Sequence, residues 1–153
     1  MHSMNVPHFE QELDYSCLAA CTRMVLAFFG AEHDEAELRA LLKTRPGGTS
    51  PVNLMLRLPA LGFTADVQTG SQSTLRQYVE MGYPCIVHVW TPPLPHWDNE
   101  AIHALVVTEI SEESVYAHDP AFPTGPTAIP MPAFLRAWAV VNYLMIVIQP
   151  EDQ

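Results

Sequence analysis

The chain has 153 residues, of which 48% are hydrophobic and 16% are charged, and its formal net charge is −10. This apolar fraction excludes a disordered acidic tail, because such chains cannot bury enough surface to offset their conformational entropy. The acidity argues against nucleic-acid binding, since neutralising phosphates requires Lys and Arg. The length fits a single domain over residues 1–153 with a substantial core.

Membrane insertion and disulfide bonding are also disfavoured. Purely apolar stretches such as Leu144 to Ile148 are too short to cross a bilayer, so no membrane span is expected. The N-terminus lacks a basic region followed by an apolar stretch, so we expect no signal peptide and a cytoplasmic location. Three cysteines, Cys17, Cys21 and Cys85, are too few for a disulfide scaffold.

Helical patterns dominate the first half of the chain. Apolar residues recur on one face of the first helix, which Asp14 or Ser16 could cap, and Asp34 with Glu37 has capping-box spacing at the second. Helices are predicted over residues 17–29 and 35–43, from Ser50 to the disturbance at Pro59, and over about 74–81.

The second half reads mostly as β-structure, with a polar turn at 111–114 that joins two strands into a hairpin. Helices followed by antiparallel strands indicate an α+β fold. Strands are predicted over residues 85–90, 104–110, 114–118 and 142–149, with a short helix over 132–138.

Cys17 is the first candidate for chemistry because it opens the first helix. The free N–H groups and dipole at a helix start favour the thiolate, which is the nucleophilic form of cysteine. Gln11, six residues upstream, could direct its amide N–H at an oxyanion formed when Cys17 attacks a carbonyl. Taken alone, a cysteine is more often a small buried hydrophobe, as we expect for Cys21 and Cys85.

His103 and Asp119 lie at the open end of the predicted hairpin. A simple ladder leaves them offset by about three residues, so twist or a bulge has to bring them together. If they meet, Asp119 can hold the tautomer of the imidazole and His103 can take the thiol proton of Cys17.

These residues stand in segments that resemble a known family. QELDYSCLAACTRMVLAFFG, from Gln11 to Gly30, resembles the active-site segment of the C39 peptidases, papain-like enzymes that remove double-glycine leaders from bacteriocin precursors. IHALVVTEI and VYAHDP resemble that family's His strand and Asp-Pro strand. LPALGF, PAFLRAW and NYLMIVI extend the resemblance, in order, over nearly the whole chain.

The resemblance implies a papain-like α+β fold, with an N-terminal helical half packed on a C-terminal antiparallel sheet. It also implies roles: Cys17 as the nucleophile, His103 as the base and Asp119 as its orienting carboxylate. Gln11 and the Cys17 backbone N–H would form the oxyanion hole. Such a peptidase needs no metal or organic cofactor, and its substrate is a peptide or protein.

Two departures from the family pattern stand out. Ser16 and Leu18 occupy positions where the family usually has an acidic residue and a glycine, so Leu18 is expected to border and narrow the substrate cleft. Leader peptidases of this type are usually fused to a membrane-spanning transporter. Because no membrane span is expected in this chain, we expect a stand-alone domain, with a separate transporter or processing protein as a possible partner.

Other residues have two open interpretations. Trp90, His96 and Trp97 bracket the proline-rich loop over 91–99, which either borders the substrate groove or is a surface loop held by aromatic packing. With Leu18, the two tryptophans are the predicted substrate contacts. Gly47-Gly48 echoes a double-glycine cleavage signal but is interpreted as a turn.

Alternatives to a peptidase remain at this stage. The same site could transfer an acyl group to an amine or thiol, as an acyltransferase or amidase, or the fold could be a non-catalytic peptide-binding module. A metal site is disfavoured, because the spacing of four nearby histidines matches no zinc motif. These are His88, His96, His103 and His118.

Overall fold

The computed structural model describes residues 4–151 as five α-helices and a six-stranded antiparallel sheet. The helices are α1 (Cys17–Phe28), α2 (Glu35–Leu42), α3 (Pro51–Arg57), α4 (Gln72–Glu80) and α5 (Met131–Ala139), and a 3-10 turn over Leu58–Leu61 follows α3. The strands are β1 (Phe63–Thr69), β2 (Cys85–Trp90), β3 (Ile102–Ile110), β4 (Ser114–His118), β5 (Thr127–Pro130) and β6 (Leu144–Pro150).

The sheet has the strand order β1-β6-β2-β3-β4-β5, with every pair antiparallel. β2 and β3 lie at its centre and read as continuous apolar runs because both of their faces are buried. The α+β class is therefore confirmed.

Helices cover both faces of the sheet. One face carries Ile86, Val106 and Ile146, which share a core with the apolar stripes of α1, α2 and α3. The other face carries Val87 and Leu105, which share a core with α4 and α5. The predicted helical half, α1 to α3, packs on one face of the sheet, and α4 and α5 add a third layer on the other face.

The sequence patterns missed two strands, β1 and β5. In β1, the partly or fully buried Phe63, Ala65 and Val67 alternate with polar residues, which is the signature of a strand with one face in the core. β1 pairs with the last strand of the chain, so the N-terminal half contributes to the sheet. β5 has four residues and lies at the opposite edge.

The predicted helix caps also differ from the observed ones. Neither Ser16 nor Asp34 caps the following helix with its side chain, although each flanks it. The capping box belongs to α4, where Ser71 and Thr74 bond reciprocally and set the start of the helix at Gln72. Among residues 4–151, no helix combines the length and apolar character that a membrane span requires.

Candidate active site

The N-terminus of α1 presents a half-buried cysteine beside free backbone N–H groups. Cys17 is the first residue of the helix. The buried Ser16 turns its hydroxyl away from the helix and bonds both backbone groups of Leu13 at 3.0 Å. No other described side chain caps α1, so its first N–H groups remain available to an incoming negative charge.

A β-bulge determines whether His103 and Asp119 can meet. The register of β3 against β4 shifts by one residue between Val107 and Glu109. Continuing the shifted register places Asp119 level with Leu105, two positions from His103 rather than three. Because side chains alternate along a strand, the even offset leaves both on one face. His103 Nε2 and Asp119 Oδ1 are 2.7 Å apart.

Asp119 is 1% exposed and is held through both carboxylate oxygens. Oδ1 accepts from His103 and from the backbone N–H of Ala121 at 3.0 Å. Oδ2 contacts His96 Nε2 at 2.8 Å and accepts from Trp97 Nε1 at 2.7 Å. The ring of Trp97 also lies against His103, with centroids 4.7 Å apart.

These contacts set the charges of the pair. Burial opposes the charged form of His103, but hydrogen bonds to Asp119 and Cys17, with the charges of both, raise its pKa to about 9. Burial alone would raise the pKa of Asp119, yet donation from His103, His96 and Trp97 lowers it well below its usual range. The arrangement favours an imidazolium beside a carboxylate, with the second ring nitrogen of His103 left for Cys17.

Gln11 lies in the loop that enters α1. Its side-chain Nε2 donates to the Leu13 carbonyl at 2.7 Å, and its backbone N–H donates to the Pro120 carbonyl at 2.7 Å. One side-chain N–H therefore fixes the amide, while the second has no acceptor among the described residues. Gln11 and Cys17 line the same cleft.

That cleft has a volume of about 820 Å³. Its lining includes Cys17, His103, Gln11 and the turn over 46–48, in which Arg45 and Gly48 exchange backbone hydrogen bonds. Its acidic residues are Glu12, Asp14, Asp98 and Glu100, and no Lys or Arg is among the described lining residues.

The predicted substrate contacts separate in the structure. Trp97 lines the cleft. Leu18 is 2% exposed and belongs to the core beneath α1, so its side chain does not border the cleft. Trp90, half-buried at the end of β2, also lies outside the lining.

The two remaining thiols are buried, in keeping with their expected place in the core. Burial, and then the neighbouring Cys17, raises the pKa of Cys21 well above its usual value, and burial raises that of Cys85 to about 12. No cluster of three or more metal-ligating side chains occurs among residues 4–151.

A family comparison covers almost the whole chain: the Peptidase C39 family model matches residues 5–153. The chain belongs to the Peptidase C39 family. Membership supports a cysteine peptidase role for this domain.

Among curated C39 relatives, the transport/processing ATP-binding protein ComA of Streptococcus pneumoniae is 26% identical over 139 residues, which cover 90% of this chain and 18% of ComA. The pediocin PA-1 transport/processing ATP-binding protein PedD of Pediococcus acidilactici is 27% identical over 129 residues, covering 84% of this chain and 17% of PedD. The chain thus spans less than a fifth of the length of these relatives.

Solved C39 structures share the fold. The peptidase domain of Streptococcus ComA superposes with a TM-score of 0.79 at 24% identity, covering 96% of this chain and all of that one. A double-glycine motif protease from an AMS/PCAT transporter, in complex with a leader peptide, gives a TM-score of 0.76 at 21% identity, covering 97% and 94% of the two chains.

Two parts of this C39 site escaped the sequence patterns. The sequence places His96 only at a loop that could border the groove and in a disfavoured metal site, whereas its Nε2 contacts the carboxylate of Asp119. The sequence predicts only a turn at Gly47 and Gly48, whereas that turn also lines the cleft. Both features depend on loops that approach the site from distant parts of the chain, which spacing alone does not reveal.

Proposed function

We propose that this protein is a cysteine peptidase that hydrolyses peptide bonds through Cys17, His103 and Asp119, with Gln11 in the oxyanion hole. One observation carries the proposal: the thiol at the free start of α1 shares a cleft with an imidazole that is bonded to a buried carboxylate. A buried Asp–His pair beside an accessible thiol is the arrangement expected for an activated cysteine nucleophile.

Acylation begins with a thiolate–imidazolium pair. The Cys17 sulfur attacks the peptide carbonyl carbon and forms a C–S bond, and the carbonyl oxygen becomes an oxyanion. The second amide N–H of Gln11 and the backbone N–H of Cys17 stabilise that charge. His103 then gives its proton to the leaving nitrogen, the C–N bond breaks, and a thioester remains.

Deacylation reverses the role of His103. The neutral imidazole, held by Asp119 through Nε2, removes a proton from water through its other nitrogen. The resulting hydroxide attacks the thioester carbon, the C–S bond breaks, and the thiolate and a carboxylic acid are released. Asp119 stays ionised throughout and orients the ring.

The substrate is a peptide or protein. Solved relatives include a double-glycine motif protease bound to a leader peptide, so a segment with two small residues before the scissile bond is the first candidate. The acidic lining favours neutral or cationic residues near that bond. A transporter partner is proposed by analogy with the relatives described as transport/processing proteins.

The test combines purified protein with synthetic peptides that contain Gly-Gly, flanked by either Lys or Glu. Mass spectrometry should detect cleavage after the second glycine, faster for Lys than for Glu, and none with Cys17→Ala. Peptide binding without cleavage would contradict the proposal and favour a non-catalytic binding module. Amide products formed when an amine is added, with little free acid, would indicate an acyltransferase instead.

A further inference from the structure

A single buried carboxylate serves two imidazoles. Asp119 forms its only ion pairs with His96 and His103, since no Lys or Arg within residues 4–151 lies near enough to pair with it. Burying a carboxylate is costly unless its oxygens are fully hydrogen-bonded. The His96 contact therefore helps to stabilise the buried negative charge of Asp119.

Hydrogen-bond chemistry settles which nitrogen carries the proton in each ring. An ionised carboxylate only accepts, so both His96 Nε2 and His103 Nε2 must be donors to Asp119. The His96 bond, together with that of Trp97 Nε1, restrains Oδ2 and so limits the rotation of the carboxylate about its last bond. Oδ1 then faces His103 in one orientation, which leaves the other nitrogen of His103 toward Cys17.

The loop that carries His96 is well braced. Thr91 Oγ1 donates to the Asn99 carbonyl at 2.6 Å and accepts from the Ala101 N–H at 2.9 Å, so the two ends of the loop are tied together. The backbone N–H of Trp97 donates to the Leu94 carbonyl at 3.2 Å. The loop therefore offers His96 and the neighbouring Trp97 to Asp119 from a fixed frame.

We propose that His96 is a positioning residue that acts on Cys17 through Asp119 and His103, an inference that rests on the proposed function. His96 need not touch the reacting atoms. Its N–H fixes Asp119, Asp119 fixes the His103 ring, and the ring sustains the nucleophilic form of Cys17. The donor N–H is what matters, so a side chain that keeps a donor at the same place should preserve the effect.

The alternative is that His96 only anchors the loop. Its ring packs on Phe122, with centroids 5.2 Å apart, so removal could loosen the cleft without acting on Asp119. His96→Leu keeps an apolar side chain against Phe122 but lacks the donor. His96→Gln places an amide N–H close to the position of Nε2. The two variants therefore separate packing from donation.

The readout is the rate of Cys17 alkylation by iodoacetamide at pH 7, which requires no peptide substrate. Only Cys17 should react, because Cys21 and Cys85 are buried, and Cys17→Ala provides the blank. We expect His96→Leu to react about tenfold more slowly than wild type, as for loss of a hydrogen bond to a charged group. His96→Gln should stay within about twofold.

A double-mutant cycle tests the route. If His96 acts through Asp119, adding His96→Leu to Asp119→Ala should change the rate by less than about twofold. An unchanged rate in His96→Leu, a Gln variant as slow as the Leu variant, or a full further loss in the Asp119→Ala background would each overturn the inference. If Asp119→Ala itself reacts like wild type, the proposed catalytic role of the Cys17–His103–Asp119 site fails as well, and the two failures are thereby distinguished.

Discussion

The backbone N–H of Gln11 donates a 2.7 Å hydrogen bond to the carbonyl of Pro120, the residue that follows Asp119. The proposed oxyanion donor and the proposed orienting carboxylate are thus joined through adjacent backbone. His8 ties the same two segments together, since its ring contacts His118 Nδ1 at 2.9 Å and the Phe122 carbonyl at 2.7 Å. Displacement of either segment should therefore disturb both parts of the site.

Removing the Gln11 amide should slow turnover without affecting the nucleophile. Gln11→Met keeps the length of the side chain but has no N–H, and we expect kcat to fall about 10²–10³-fold with little change in KM. Iodoacetamide alkylation of Cys17 forms no oxyanion, so its rate should match wild type. Gln11→Ala should show the same loss of kcat and the same unchanged alkylation rate. Slowed alkylation in both variants would show that Gln11 supports the thiol rather than an oxyanion.

Neutralising Asp119 should shift the pH dependence of activity. The hydrogen bonds and charges of Asp119 and Cys17 oppose the effect of burial and raise the pKa of His103 to about 9, so the imidazolium is retained below that pH. In Asp119→Asn the charge of Asp119 is lost while burial remains, so the pKa of His103 should fall and the alkaline limb of kcat/KM should move to lower pH. At pH 7 we expect a loss of roughly 10²–10⁴-fold. An alkaline limb that stays near pH 9 would exclude this role for Asp119.

The glycine turn should control what enters the cleft. A Cβ at Gly47 would contact no protein atom within 4 Å, and Gly47 has no positive φ, so Gly47→Ala should fold normally while projecting a methyl group. Gly48 has φ +107°, so Gly48→Ala strains the backbone and should lower Tm, unlike Gly47→Ala. We expect Gly47→Ala to raise KM for peptide about three- to tenfold, with Tm unchanged. An unchanged KM would place the substrate away from this wall.

Acid should weaken the fold through His118. Burial, and secondarily the charge of His8, lower the pKa of His118 from 6.5 to about 4. Between these values the unfolded chain binds a proton that the folded protein does not, so the free energy of unfolding falls as pH drops from 6.5 to 4. His118 contributes at most about 3 kcal/mol.

Chemical denaturation at several pH values checks this contribution. His118→Gln should lose less stability than wild type over the same interval, even if it is less stable throughout. His88 should titrate in the same way in both proteins, because burial and the charge of His103, which lower its pKa to about 4, do not involve residue 118. Parallel curves for the two proteins would contradict the role of His118.

Most of the architecture could be predicted because its local signals are strong. β2 and β4 were predicted with their observed bounds, since continuous apolar or β-branched runs between turn residues mark buried strands. β1 was missed because four of its seven residues are polar and the preceding helix signal ends only two residues before it. Its partner, β6, lies about 80 residues further along the chain, and spacing does not reveal such a pairing.

For the candidate site, the sequence predicted which side chains come together: Gln11, Cys17 and His103 line one cleft, and Asp119 bonds to His103. The offset between His103 and Asp119 required a bulge or twist, and the observed bulge is the local backbone change that resolves it. The family pattern predicts Leu18 at the cleft, because it stands where the family usually has a glycine, but helix geometry turns its side chain into the core, one position after the half-buried Cys17. The contact of His96 with Asp119 arises from tertiary packing of a loop and carried no sequence signal.

The measurement that tests the central claim most directly is the pH dependence of Cys17 alkylation in wild type and in His103→Ala. An activated pair predicts rapid reaction of wild type at pH 6–7, well below the ordinary thiol pKa of about 8.5, and loss of that reactivity in the variant. Cys21 and Cys85 are buried and should not contribute to the signal. If wild type and variant alkylate alike, and only at alkaline pH, Cys17 and His103 do not form a catalytic pair.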